Sequence, residues 1–78
     1  MTYYDEVYVI AQEDVDGYIK LLKRDKEGLT GYTWTENIGI AMHFGNKGTA
    51  KLCLKKLIKR EYIPKDCFIK EVEIRYRW

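Results

Sequence analysis

Few residues in this 78-residue chain could carry out chemistry. The sequence contains one histidine, His43, two cysteines, Cys53 and Cys67, and no serine. A serine-based triad therefore cannot be assembled. A Cys–His pair would need a reactive thiolate, but helical spacing places Cys53 on the apolar side of a helix, where a thiol only packs. The residue inventory predicts that the protein is not an enzyme and has no catalytic residues.

Metal and phosphate sites are also poorly represented. One histidine and two widely separated cysteines do not supply the four ligands in close pairs that a structural zinc site needs. The acidic stretch Glu13, Asp14 and Asp16 before Gly17 lacks the first and twelfth ligands of a calcium loop, so we predict a hairpin turn. GNKGT at residues 45–49 could offer backbone amides to a phosphate, but its spacing does not match a phosphate loop. No metal or cofactor is expected, and an enzyme or a binder of small nucleotides at residues 45–49 is the third-ranked interpretation.

The stretch KLCLKKLIKRE at residues 51–61 is the main functional signal. At 100° per residue, one helical sector that would pack on a sheet holds Ala50, Cys53, Leu54, Leu57 and Ile58. The remaining cations could follow a phosphate backbone, with an affinity that depends on salt. The plainer interpretation is a solvated helix face, since lysine is common there.

A protein-binding patch fits the same residues. Leu52 lies among the lysines, outside the apolar sector, and an exposed leucine beside surface aromatics can form the centre of an interface. Two aromatic residues of a predicted strand extend the candidate surface. The candidate partner-binding residues are Lys51, Leu52, Lys55, Lys56, Lys59, Arg60, Tyr32 and Trp34.

The elements that must position these residues are indicated by periodicity and turn residues. Tyrosine-rich and valine-rich segments before acidic or glycine turns predict strands. Asn46 can cap the helix through its side-chain oxygen, and Pro64 is expected to end it by restricting Ile63. The predicted strands cover residues 3–12, 18–24, 32–36 and 68–78.

The last strand has the clearest pattern. Val72, Ile74, Tyr76 and Trp78 alternate with charged residues, which is typical of a strand with one buried face. The order β-β-β-α-β predicts a single α+β domain over residues 1–78, with a mostly antiparallel sheet and one helix packed on one face. If the last strand lies at an exposed edge, it could pair with a second copy as a homodimer.

The stretch NIGIAMHFGN at residues 37–46 has no clean period. We interpret it as an irregular or single-turn element that places Ala41 and Phe44 in the core. Cys53 and Cys67 are expected to be reduced and partly buried, and a disulfide between them is the alternative.

Charge is divided between the two halves of the chain. Residues 1–40 hold four basic and eight acidic residues, a net charge of −4, whereas residues 41–78 hold ten and four, a net charge of +6. This balance is less basic than that of a typical nucleic-acid-binding protein. An acidic strip formed by five of these residues could occupy a basic nucleic-acid site on a target; the five are Asp5, Glu6, Glu13, Asp14 and Asp16. No secretory pattern or membrane-length apolar run is present, so an intracellular protein without a membrane partner is expected.

Taken together, YVI, GYIKL, YTWTE, AMHF and GTAKL occur in an order that resembles small uncharacterised phage and prophage proteins of low-GC Gram-positive bacteria. The matching positions are Trp34, Ala41, Phe44 and Ala50. The resemblance implies a phage accessory protein in the host cytoplasm that inhibits or modulates a host or defence protein, such as a CRISPR–Cas component, by stoichiometric contact. The alternative is a small nucleic-acid-binding protein that uses the lysine-rich helix.

Overall fold

The computed structural model describes the backbone of residues 2–77 and the side chains of residues 5–74. The chain folds in the predicted order β-β-β-α-β, which confirms the α+β class. The elements are β1 (Thr2–Glu13), β2 (Ile19–Arg24), β3 (Tyr32–Thr35), α1 (Lys47–Lys59) and β4 (Phe68–Arg77).

The four strands form one sheet in the order β3-β2-β1-β4, and every neighbouring pair is antiparallel. β1 is a central strand because it pairs with β4 from Thr2 to Ala11 and with β2 from Ala11 to Glu13. The first strand of the chain is therefore hydrogen-bonded mainly to the last one. This pairing could not be read from local sequence signals.

The acidic stretch after β1 forms the predicted hairpin turn. The Asp14 carboxylate accepts hydrogen bonds from the backbone N–H groups of Asp16 and Tyr18, at 2.9 and 3.0 Å. Gly17 has φ +85°, in the left-handed region that glycine adopts without strain. The side-chain oxygen of Asp14 thus closes the turn that joins β1 to β2.

The segment at residues 41–44 fills a gap in the sheet. The ladder between β1 and β2 stops at the pair Ala11 and Leu21. Beyond it, Met42 donates its backbone N–H to the carbonyl of Leu22 at 2.9 Å, and Phe44 exchanges two backbone hydrogen bonds of 2.8 Å with Tyr8. This stretch, irregular in the sequence prediction, is therefore a short strand-like insert between the two hairpin strands.

Passing through this gap carries the chain from one face of the sheet to the other. Ile38 and the buried Ala41 pack on one face, whereas Met42 and the half-buried Phe44 pack on the face that carries α1. The expected packing of Ala41 and Phe44 is confirmed. The buried residues of the helix face are Ile10, Leu22, Leu57, Ile63 and Cys67, and those of the opposite face are Val9, Ala11, Leu21 and Ala41.

Helix α1 begins as predicted. Asn46 has extended backbone angles, and its side-chain oxygen accepts hydrogen bonds from the N–H groups of Gly48 at 2.7 Å and Thr49 at 3.2 Å. The predicted apolar sector of the helix is confirmed. Ala50 and Leu57 are buried, and Cys53, Leu54 and Ile58 are half-buried.

The end of α1 differs from the prediction. The helix stops at Lys59, not at Pro64, because Glu61 turns into the left-handed region with φ +61°. The N–H of Tyr62 bonds to the carbonyl of Leu57, and that of Glu61 bonds to Ile58, each at 3.0 Å. This pair of hydrogen bonds is a Schellman motif, which satisfies the last carbonyls of the helix.

Strand β4 presents its two faces to different surroundings. Ile69 pairs with Ile10 and packs under the helix, whereas Val72 pairs with Val7 on the opposite face. Val72 and Ile74 are half-buried there, on the side of the sheet that α1 does not cover. The expected inward positions of Tyr76 and Trp78 lie outside the described side chains.

Removal of the N-cap should destabilise the protein. In Asn46→Ala the N–H groups of Gly48 and Thr49 lose their acceptor, so the free energy of unfolding should fall by about 1 kcal/mol. Urea denaturation followed by circular dichroism measures this change. Asn46→Asp keeps the acceptor and should stay close to the wild type; a loss as large as that of the alanine variant would contradict the capping role.

Replacement of Glu61 by glycine should stabilise the protein. A non-glycine residue in the left-handed region costs roughly 1–2 kcal/mol, so Glu61→Gly should raise the free energy of unfolding by about 1 kcal/mol after the entropy that glycine loses on folding. The matched control is Arg60→Gly, whose φ is −82°. It should give no gain, and an equal gain in both variants would refute the strain at Glu61.

Candidate functional site

The exposed face of α1 carries the cations that the sequence pattern placed there. All five are exposed, and Leu52 among them keeps 70% of its surface accessible. They divide into two rows along the helix, because residues four apart lie on one side. One row is Lys51, Lys55 and Lys59, and the other is Leu52, Lys56 and Arg60.

The second row borders a groove of about 360 Å³ between α1 and the adjoining ends of β2 and β3. Four candidate residues meet there, namely Tyr32, Leu52, Lys56 and Arg60. The other residues of the groove were not among the predicted ones, because they come from β2, from the start of α1 and from its packed side. These are Arg24, Thr49, Cys53 and Leu57.

Positive charge dominates the groove. Arg24, Lys56 and Arg60 line it, and no described aspartate or glutamate does. The Nε–H of Arg24 donates a hydrogen bond to the sulfur of Met42 at 3.4 Å, which holds its guanidinium against the segment that fills the sheet. Three cations around an apolar floor can attract an acidic ligand and still bind an apolar group.

A pair of tyrosines extends the groove beyond the end of the helix. The rings of Tyr32 and Tyr62 lie 6.5 Å apart, centroid to centroid, and are tilted by 39°. Tyr62 is 41% exposed, and the Schellman turn fixes its position. Tyr62 was missing from the candidate residues, since only the position of the turn brings it beside Tyr32.

The remaining candidates lie elsewhere. Trp34 shares a face with Tyr32 but packs half-buried against the core below α1, and it does not line the groove. Lys51, Lys55 and Lys59 are exposed on the helix and do not line the groove either.

The two thiols are free and poorly suited to nucleophilic chemistry. Burial raises the pKa of Cys53, although the nearby charges of Arg24 and Lys56 act in the opposite direction. Burial, reinforced by the Asp66 carboxylate, raises the pKa of Cys67 to about 11. A protonated thiol is a weak nucleophile, so both side chains act as packing residues at neutral pH.

His43 is exposed and occupied within its own loop. Its Nε2 donates a hydrogen bond to the carbonyl of Ile38 at 2.6 Å. This hydrogen bond links Ile38, which packs on one face of the sheet, to His43, which lies in the insert between β1 and β2. His43 therefore stabilises the conformation of residues 38–43.

At the start of α1, two backbone amides already have a structural role. Asn46 already accepts hydrogen bonds from Gly48 and Thr49, so these N–H groups are engaged in the cap. A phosphate at residues 45–49 would have to displace that side chain.

The five residues of the predicted acidic strip do not form one surface. Asp5 and Glu6 lie towards one end of β1, and Glu13 lies at the other end. Seven residues of strand place Glu6 and Glu13 roughly 23 Å apart. Asp14 and Asp16 belong to the hairpin turn beyond Glu13, so the predicted acidic surface is divided between the two ends of β1.

Comparison with known proteins gives no relative from which a site could be transferred: no family model, no curated protein and no solved structure matches the chain. Within residues 2–77 no helix has the length and apolar character needed to cross a membrane. Among the described side chains, no three histidines, cysteines or carboxylates gather where they could hold a metal ion. The groove is the concave site that combines several candidate residues.

The buried thiol of Cys67 should make stability depend on alkaline pH. Its pKa is raised from 9.0 to about 11 on folding. The folded protein therefore keeps its full stability below pH 9.0 and loses part of it as the pH approaches 11, where the buried thiol ionises. At about 1.4 kcal/mol per pKa unit, the loss should reach at most ~2–3 kcal/mol.

The measurement is urea unfolding under reducing conditions across this pH range, for the wild type and Cys67→Ala. The alanine variant is less stable at low pH because of the cavity, and the difference should shrink as the pH rises. All other residues are common to both proteins. Parallel stability curves would show that Cys67 is not the titrating group.

Proposed function

We propose that the protein is a non-enzymatic binding protein whose groove accepts an acidic segment of a partner protein, with one apolar side chain seated against Leu52 and Tyr32. The observation that carries the proposal is the exposed Leu52 beside a groove lined by Arg24, Lys56 and Arg60. Burial of the exposed leucine side chain against an apolar group of the partner is favourable, and the surrounding cations attract carboxylates.

The composition of the groove favours a protein ligand over a phosphate backbone. A phosphate chain would use the cations but would leave Leu52 in water. A peptide with an aromatic or aliphatic residue between acids would use both. Tyrosine, arginine and an apolar anchor are the side-chain types that dominate binding energy at protein interfaces. The volume of about 360 Å³ is at the lower end for ligand pockets, which suits one or two side chains.

The expected class of partner comes from the resemblance to phage accessory proteins. In this proposal the groove binds a host or defence protein in the host cytoplasm and blocks the surface that it covers. Such inhibition is stoichiometric and needs no catalytic group. The cations that line the groove would raise the association rate with an acidic partner and would disfavour basic surfaces.

Nucleic-acid binding is the second candidate, supported by a different observation. Lys51, Lys55 and Lys59 are exposed in a row with a spacing of about 6 Å along the helix axis, and α1 contains no acidic residue. This row could follow a strand of phosphates independently of the groove.

Substitution at Leu52 separates the two functions. The probe is a fluorescein-labelled peptide of aspartates and glutamates around a central phenylalanine, titrated with the protein at moderate salt. Leu52→Asp should weaken peptide binding about tenfold, equivalent to ~1.4 kcal/mol, because it removes the apolar contact and adds a repelling charge. Val15→Asp is the matched control, since Val15 is fully exposed in the β1–β2 turn and gains the same charge; it should leave binding unchanged.

The lysine row is tested with the triple variant Lys51→Ala, Lys55→Ala and Lys59→Ala. If the groove is the functional site, this variant should bind the peptide nearly as the wild type does. If instead a labelled oligothymidine binds in a salt-dependent manner and only the triple variant loses it, the lysine row is the functional surface. Equal binding of the peptide by the wild type and Leu52→Asp would refute the groove as the peptide site.

A further inference from the structure

The outer edge of β4 is long and open. Within residues 2–77, β4 is the terminal strand of the sheet and is paired with β1 on one side. Its ladder with β1 runs without a bulge from Phe68 to Arg77. The other edge of the sheet, β3, has only four residues. Long, regular edge strands are templates for pairing with another chain.

The charges along this edge have an unusual order. At alternate positions, two acidic residues, Glu71 and Glu73, precede two basic residues, Arg75 and Arg77. An antiparallel partner strand of the same sequence runs in reverse. The acidic half of one strand therefore meets the basic half of the other.

Symmetry limits the registers in which two β4 strands can pair. Outward N–H and C=O groups come from every second residue, so the two-fold axis passes through a residue position. An axis at Val72 sets Glu71 opposite Glu73, and an axis at Glu73 sets that residue opposite itself. An axis at Ile74 sets Glu73 opposite Arg75 and Glu71 opposite Arg77 in both halves of the pair. Opposite charges that face each other across strands stabilise a sheet, and like charges destabilise it.

The apolar side of β4 supports the same register. Val72 and Ile74 are half-buried on the face that α1 leaves uncovered, next to the buried Val7. With the axis at Ile74, the isoleucines of the two copies meet directly. The apolar strip of one sheet then continues into the sheet of the second copy.

We infer that the protein forms a two-fold dimer through antiparallel pairing of β4 with β4 of a second copy, centred on Ile74. The product is a continuous eight-stranded sheet. The groove contains Tyr32 of β3, at the opposite edge, and stays accessible in both copies. The dimer is therefore independent of the proposed binding function. A strand pair buries less than a standard interface, so we expect an equilibrium between monomer and dimer.

Analytical ultracentrifugation of the whole chain over a range of concentrations tests the inference. The wild type should shift from 9.3 kDa towards twice that mass as concentration rises. Two variants carry one sign of charge along the edge: Glu71→Lys with Glu73→Lys, and Arg75→Glu with Arg77→Glu. Each alone should remain a monomer, and an equimolar mixture should form a heterodimer.

Folding of the variants can be controlled independently. Glu6 lies opposite Glu73 in the β1–β4 ladder, so a basic residue at position 73 faces a carboxylate within the monomer. Circular dichroism should show native structure in each variant. The exchange Glu73→Arg with Arg75→Glu keeps every opposite pair in the dimer and should associate like the wild type. A wild type that stays at 9.3 kDa throughout, or single-sign variants that self-associate as strongly as the wild type, would overturn the inference.

Discussion

The backbone of β1 needs hydrogen-bond partners on both sides, and β2 supplies them for only three residues. Buried N–H and C=O groups without partners are costly, so the chain must bring another segment to the exposed side of β1. The insert at residues 41–44 does this through the paired hydrogen bonds of Phe44 with Tyr8 and the bond from Met42 to Leu22. The rest of the architecture depends on this closure.

The closure explains how a short chain covers both faces of its sheet. Because the insert passes between β1 and β2, the residues before it pack on one face and α1 follows on the other. The insert also places Met42 against Arg24. The segment that completes the sheet therefore positions one of the three cations of the groove. Packing and the candidate site are thus connected through a few backbone hydrogen bonds.

Local signals predicted the elements well, because strand alternation, the Asn46 cap and the apolar sector of α1 all act within a few residues. Sheet order and the insert depend on contacts between distant residues, and no periodicity reports them. The helix end was misplaced because a glutamate, Glu61, takes a conformation that sequence patterns assign to glycine. Half of the candidate site was predicted, namely the residues on one exposed helix row and Tyr32. Arg24 and Tyr62 join it through tertiary structure alone.

The pairing of β1 with β4 also determines when the fold can be completed. The hairpin of β1 and β2 closes through a short turn, whereas the longer ladder joins strands separated by most of the chain. Contacts of such sequence separation slow folding, because the loop must be ordered before the contacts stabilise it. During synthesis, one edge of β1 has unpaired backbone N–H and C=O groups until residues 68–77 have left the ribosome. The nascent chain is therefore most exposed to misassociation just before its last strand emerges.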